Sequence, residues 1–304
     1  MSTGIRKKLA AAVTVACTTA LVAVTAPGSS TAQAQVASLR AFAITSDGTR
    51  MATFTTDRPD ILDWVRVVKG LVGDTALVGI DFRVQNGLMY GVGNQGGIYT
   101  IQTPPQTVDV VVTKVSQLTI PLYGTNFGVD FNPAANRLRV ISDNGQNLRH
   151  NIDDKTAGAS PAAGHTAEDS VLSTPGVENV SRGVTAAAYT NNDLNGETAT
   201  TLFDLNTTTD QVVIQSPANN GTLAPTGKLG VDAGANAGFD IYSDLVNGKT
   251  VSATGFAAVT PPNSTLTTFY TVDVLTGTAT AVATDDPRFP LPIGDVAVAL
   301  DTSP

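Results

Sequence analysis

Short apolar runs separated by turn residues recur along the chain, and the runs themselves repeat. Gly79-Ile80-Asp81-Phe82 returns as Gly128-Val129-Asp130-Phe131 and as Gly238-Phe239-Asp240-Ile241, with a fainter copy at Ile293-Gly294-Asp295-Val296. Gly183-Val184-Thr185-Ala186 fills the gap, with Thr in place of Asp. The copies lie roughly fifty residues apart, the period of propeller blades. After several copies comes a turn signal (Asn86-Gly87, Asn195-Gly196, Asn247-Gly248), because Asn and Gly tolerate the positive φ of tight hairpins. A second run then follows, such as Leu88-Met89-Tyr90 or Leu138-Arg139-Val140. Ile98-Tyr99-Thr100-Ile101, Leu202-Phe203-Asp204-Leu205 and Phe269-Tyr270-Thr271-Val272-Asp273 read as third runs, and 108–115 and 278–283 as fourth runs.

Runs of this length, rich in Val, Ile, Thr and aromatics, are strand chemistry. Four strands per repeat predict an all-β propeller rather than a sandwich. Leu39-Arg40-Ala41-Phe42-Ala43-Ile44-Thr45 resembles a second strand with its first missing, and 293–300 supplies it. The C-terminal strand is thus expected to pair with the N-terminal blade, closing a ring of five four-stranded blades without a long open edge. A sixth blade hidden in 153–182 is the alternative. That stretch, rich in Ala, Ser, Thr, Gly and Pro, is read as a long surface loop with at most one strand.

The first 34 residues stand apart. Arg6, Lys7 and Lys8 precede an apolar run over 9–24, and Ala32-Gln33-Ala34 gives the small-x-small pattern of a cleaved signal peptide. Cleavage after Ala34 by the general secretion route is expected, leaving one domain over 35–304. Thr14 at the third position before Cys17 makes a poor lipoprotein signal. Removal takes away the one Cys and three positive charges, shifting the formal charge from −8 to −11. An acidic, cysteine-free chain excludes a disulfide framework and cysteine-based metal sites, and argues against nucleic acid or an anionic membrane as partner. A soluble monomer, extracellular or periplasmic, with no membrane span after cleavage, is the expectation.

The motifs also resemble a known family. Val78-Gly79-Ile80-Asp81-Phe82-Arg83, then Phe127-Gly128-Val129-Asp130-Phe131-Asn132-Pro133, then Asn136-Arg137-Leu138-Arg139-Val140-Ile141-Ser142-Asp143-Asn144-Gly145-Gln146-Asn147-Leu148-Arg149 carry the likeness. Ala188-Tyr189-Thr190-Asn191 and Gly238-Phe239-Asp240-Ile241 continue it. Together they are similar to the secreted bacterial family known as domain of unknown function 4394. That resemblance implies β-propeller-like repeats and no particular activity, substrate or cofactor.

Two constellations could carry chemistry. Asp81, Asp130, Asp240 and Asp295 occupy equivalent first-strand positions, and in a closed ring four such carboxylates would converge on the axis. Carboxylate oxygens there suit a hard cation such as Ca²⁺, and equally suit backbone N–H groups of the neighbouring blade. The second is a basic group. Arg137 and Arg139, two apart, share a strand face, and Arg149 and His150 lie on the next strand. Converging guanidinium groups can hold a carboxylate or phosphate as a ligand, or pair with nearby Asp residues. Asn191-Asn192-Asp193-Leu194-Asn195-Gly196 starts like a calcium loop, but the twelfth position is Leu202 where a bidentate Glu belongs. The familiar nucleophile, zinc and phosphate-loop motifs are missing. The reading is therefore a secreted, non-catalytic propeller that binds a protein, glycan or surface ligand through its loops. The alternatives are a Ca²⁺-type hydrolase or lyase using channel carboxylates, and a structural envelope or matrix protein.

Overall fold

The computed structural model describes residues 37–282 and 285–302. The segment 1–34, with Cys17 and the cleavage site after Ala34, lies outside the described residues. Within them the chain is strand and turn, apart from one 3-10 turn at Ala218–Asn220.

Antiparallel meanders follow one another along the chain. The first holds β1 (Arg40–Thr45), β2 (Arg50–Thr55) and β3 (Trp64–Lys69). The second holds β4 (Leu77–Arg83), β5 (Leu88–Gly93), β6 (Gly97–Gln102) and β7 (Val110–Gln117). The third is β8 (Phe127–Asn132), β9 (Arg137–Ser142), β10 (Asn147–His150) and β11 (Thr166–Glu168). The fourth is β12 (Val184–Tyr189), β13 (Leu202–Asn206), β14 (Gln211–Gln215) and β15 (Leu223–Lys228). The fifth is β16 (Ala237–Val246), β17 (Lys249–Val259), β18 (Thr268–Val272) and β19 (Ala279–Ala281). Strand β20 (Ile293–Val298) returns to pair antiparallel with β1, from Ala41↔Val298 onward. A short parallel pairing of β3 with β7, at Val68↔Val110 and Lys69↔Val111, merges the first two meanders into one eight-stranded sheet.

The first strands of the meanders contact one another in turn: β20 with β4, β4 with β8, β8 with β12, β12 with β16, and β16 with β20. Position in this arrangement explains the burial patterns. β12 is buried at every residue because both its faces are covered, whereas outer strands such as β7 alternate buried with more exposed positions. Apolar clusters fill the gaps between consecutive meanders. One example joins Tyr90 and Val92 to Val129, Phe131 and Leu138. The repeated Gly has a steric cause. A Cβ on Gly128 would lie 2.6 Å from the Ala187 nitrogen, and one on Gly238 would lie 2.5 Å from the Asp295 Cα, so only Gly permits these strands to approach.

Two expectations need correction. Leu202–Leu205 belongs to β13, the second strand of its meander rather than a third, because the connection before it (190–201) holds no strand and Asn195-Gly196 lies within that connection. Finally, two repeat copies align differently. Asp81, Asp130 and Asp240 lie across from Tyr90, Arg139 and Phe256 in the neighbouring strand. The corresponding pairs elsewhere are Ala188 with Phe203 and Ala297 with Phe42. Ala188, past a bulge between Val184 and Ala186, therefore holds the slot expected for Thr185. Ala297 holds the slot expected for Asp295, which lies two residues earlier on the same face.

Candidate functional site

The repeated carboxylates tie each inner strand to the next. Asp81 Oδ2 accepts the Phe131 N–H at 2.7 Å, Asp130 Oδ1 accepts that of Tyr189 at 3.2 Å, and Asp240 Oδ2 accepts that of Val298 at 2.6 Å. These donors sit one residue past the Asp slot of the following meander. Asp295 Oδ2 accepts the Ile80 N–H at 2.9 Å, two residues before the equivalent donor Phe82, which places it one pleat away from the other three. Asp81 and Asp240 also accept from the following residue's own N–H, at 2.6 Å each.

Asp81, Asp130 and Asp240 can bring one oxygen each within 4.8 Å of one another. All four carboxyls are buried. Desolvation, then the neighbouring carboxylates, pushes Asp81 and Asp130 well above the usual range. Desolvation also raises Asp295 well above it, and Asp240 to about 6. Buried acids whose oxygens already accept amide hydrogens are poor ligands for Ca²⁺, which takes six to eight oxygens and would have to displace those bonds. Chelator treatment is accordingly expected to leave the melting temperature unchanged; a marked drop, reversed by Ca²⁺, would restore the metal reading. Asp193 of the calcium-like stretch is similarly engaged, accepting from Thr250 N and Oγ1 at 2.9 and 2.6 Å and from Asn195 N at 2.9 Å.

The basic group divides in two. Arg137, Arg139 and Arg149 share one face, Arg139 and Arg149 being directly paired across β9 and β10. His150 points to the other face, where its Nε2 meets Ser116 Oγ at 2.8 Å and its Nδ1 meets Thr166 Oγ1 at 2.9 Å. Burial, then the nearby His165, lowers its pKa to about 4, so it is neutral and bridges two meanders. Each arginine meets an acid in 153–182. Arg137 Nη1 lies 2.9 Å from Asp154, while Arg139 Nη1 and Arg149 Nη2 lie 2.7 and 3.1 Å from one carboxylate, Asp169. Arg83 pairs with Asp153 in the same way. These ion pairs pin the long connection against the sheet.

Arg139 is almost fully buried and also donates to Tyr189 OH at 3.2 Å, Asn147 Oδ1 at 2.6 Å and Asn219 Oδ1 at 2.7 Å. Sequence reasoning missed these partners, as they come from strands and turns up to eighty residues away. Around Arg137, Arg139 and Arg149 lies a cavity of about 110 Å³, also lined by Asn132, Tyr189 and Asn219. Beyond Arg139 lies Asp204, wholly buried, with neither oxygen hydrogen-bonded among the described residues. Desolvation raises its pKa well above the usual range, against a smaller opposing pull from Arg139. An unsatisfied buried polar group costs about 1–3 kcal/mol. Asp204→Val is therefore expected to raise the melting temperature by several degrees, and a fall on thermal denaturation would show that Asp204 has a partner worth more than its desolvation.

The family profile described as domain of unknown function, DUF4394, matches residues 50–289. The chain belongs to this family. The comparison of this DUF4394 member with curated proteins found no match. Among solved structures, it is similar to a chain of a nidogen/laminin complex, at 10% identity over 87% of this chain and 99% of that one, with a TM-score of 0.43. It is also similar to hydrazine synthase from Kuenenia stuttgartiensis, at 11% identity over 69% of this chain, with a TM-score of 0.37. A third is the Dos1 propeller, at 10% identity over 80% of this chain and 62% of that one, with a TM-score of 0.35. The chain spans half the length of the hydrazine synthase chain it matches.

Proposed function

We propose that this DUF4394 protein is an exported five-bladed propeller, monomeric after cleavage at Ala34, that works as a non-catalytic binding module. Strands β20 and β1 share a blade in this reading and close the ring, which is supported by their pairing and by the succession of inner-strand contacts. The observation that carries the binding role is a polar cleft walled by loops, larger than the concavity of about 150 Å³ at the opposite ends of the inner strands. The axial acids are buried and engaged with backbone amides, while loops at the far ends of the inner strands wall a cleft of about 440 Å³. Its polar lining comes from the amides and hydroxyls of Gln85, Asn136, Thr156, Asn191, Asn195 and Thr198, with the carboxylates of Asp154 and Asp193, both already hydrogen-bonded within the protein, beside them. Loops on a rigid ring are free to vary, and amide and hydroxyl groups suit a polar ligand such as a glycan.

The test is hydrogen–deuterium exchange of the mature chain with chitotetraose and, separately, cellotetraose. Slower exchange confined to 133–136 and 191–198, with the saccharide recovered intact, is the expected result. Cleavage of either saccharide, or a chelator-sensitive hydrolysis, would replace the binding module with an enzyme. No protection by either would overturn a glycan as the ligand of this cleft.

A further inference from the structure

Around the cavity between the third and fourth meanders, the polar side-chain atoms left without partners are donors. A guanidinium carries five N–H groups. Arg137 uses Nε on Ser160 O, and Nη1 on Ala135 O, Asn136 O and Asp154. Its Nη2 bonds to no described group, although the side chain is only 7% exposed. Tyr189 OH accepts from Arg139 Nε, which leaves its own hydrogen free. Asn219 Oδ1 accepts from Arg139 and Asn132 Oδ1 from Ala135 N, which leaves both amide NH₂ groups as donors.

The charge count agrees. Three guanidinium groups share ion pairs with two carboxylates, Asp154 and Asp169, the second shared between Arg139 and Arg149, while the third nearby acid, buried Asp204, forms no ion pair and is pushed by burial towards its neutral form. One positive charge is left over, in a chain whose formal charge is −8. The position is unusual within the repeat as well. Arg139 fills the slot where the other meanders carry Phe42, Tyr90, Phe203 and Phe256, so a cation stands where packing alone would take a ring. The volume of about 110 Å³ equals only a few waters at about 30 Å³ each, and Ala135 and Asn219 on its rim are exposed.

We propose that this cavity binds one small oxyanion group, a carboxylate or a phosphate, held by Arg137 Nη2, the Tyr189 hydroxyl and the Asn219 amide. This deepens the binding-module reading and rests on it. Charge-assisted bonds from a planar guanidinium suit such a group, whereas a whole sugar or nucleotide would not fit.

The experiment is isothermal titration of the mature chain with inorganic phosphate and, in a second arm, acetate, with chloride held at matched ionic strength. One saturable site is expected, and the arm with the tighter binding identifies the source chemistry. Asn219→Asp is the decisive variant. It keeps the oxygen that accepts from Arg139 but turns the free amide into a repelling carboxylate oxygen, so affinity is expected to fall at least tenfold with the melting temperature unchanged. Tyr189→Phe, which keeps the ring, is expected to weaken binding several-fold. No saturable heat in either arm, or undiminished binding by Asn219→Asp, would overturn the site. The saccharide experiment on the same preparation reports separately on the binding module.

Discussion

Arg139→Ala is expected to destabilise the fold by about 3–5 kcal/mol, the usual penalty for deleting one partner of a buried, hydrogen-bonded ion pair. Arg139 satisfies Asn147, Tyr189, Asn219 and Asp169 together, and these belong to the third meander, the fourth meander and the long connection. Its loss strands several acceptors at once and leaves the apolar cluster there, Ile141, Leu172, Val184, Ala187, Tyr189, Leu202, Val213 and Leu223, without a side chain in the aromatic slot. Arg149 still holds Asp169, so the remaining charge is partly compensated and the loss should fall short of global unfolding. Urea denaturation measures it. A loss under about 1 kcal/mol would mean that the slot is as indifferent to polarity as its aromatic counterparts, and that the network holds the connection no better than solvent.

Arg139 also marks the limit of what the chain reveals by itself. The fold was legible because its signals are local and repeated: Gly-x-Asp at three of the inner strands, Asn-Gly at hairpins such as Asn247-Gly248, where both residues have positive φ. The pairing of Arg137 with Arg139 on one face followed from strand alternation. His150 broke from the group by the same rule, since neighbours in a strand point to opposite faces. Two repeat slots were misplaced because alanine stands in both, at Ala188 and Ala297, and alanine carries no chemical mark to align. Thr185 and Asp295 nearby drew the alignment instead. What closes around the arginines, namely Asp169, Tyr189 and Asn219, could not be read at all. Those residues meet only when the fourth meander packs on the third, and nothing in their local sequence differs from an ordinary turn or strand.

Stability is expected to fall as pH rises from about 4 through about 6 and beyond, contrary to the habit of proteins whose carboxylates are ion-paired. The sign follows from the buried acids of the inner strands. Asp81, Asp130 and Asp295 have folded pKa values well above the ordinary 3.8, and Asp240 has one of about 6. A raised folded pKa gives stability that is fully present below the unfolded value and is lost as pH climbs through the folded one. At about 1.4 kcal/mol per unit, Asp240 alone accounts for roughly 3 kcal/mol. The carboxyls repel one another once ionised, as each faces the others, and buried Asp204 adds to the same trend. His150 opposes it, since a folded pKa of about 4 makes stability drop as pH falls from 6.5 towards 4. One histidine is outweighed by five acids. Below about pH 4 the order reverses, because Asp153 and Asp154 are held below the usual carboxylate range by Arg83 and by Thr156 with Arg137. Asp240→Asn imitates the protonated acid and keeps an oxygen for the Val298 N–H. It should therefore remove Asp240's share of the loss between about pH 4 and 6 while leaving stability below about pH 4 little changed, whereas Asp240→Ala should cost about 1–3 kcal/mol below about pH 4 by orphaning that amide. Denaturation curves for the three proteins from pH 4 to 9 decide the matter. A loss between about pH 4 and 6 as steep in Asp240→Asn as in the parent would show that burial does not raise the Asp240 pKa in the fold.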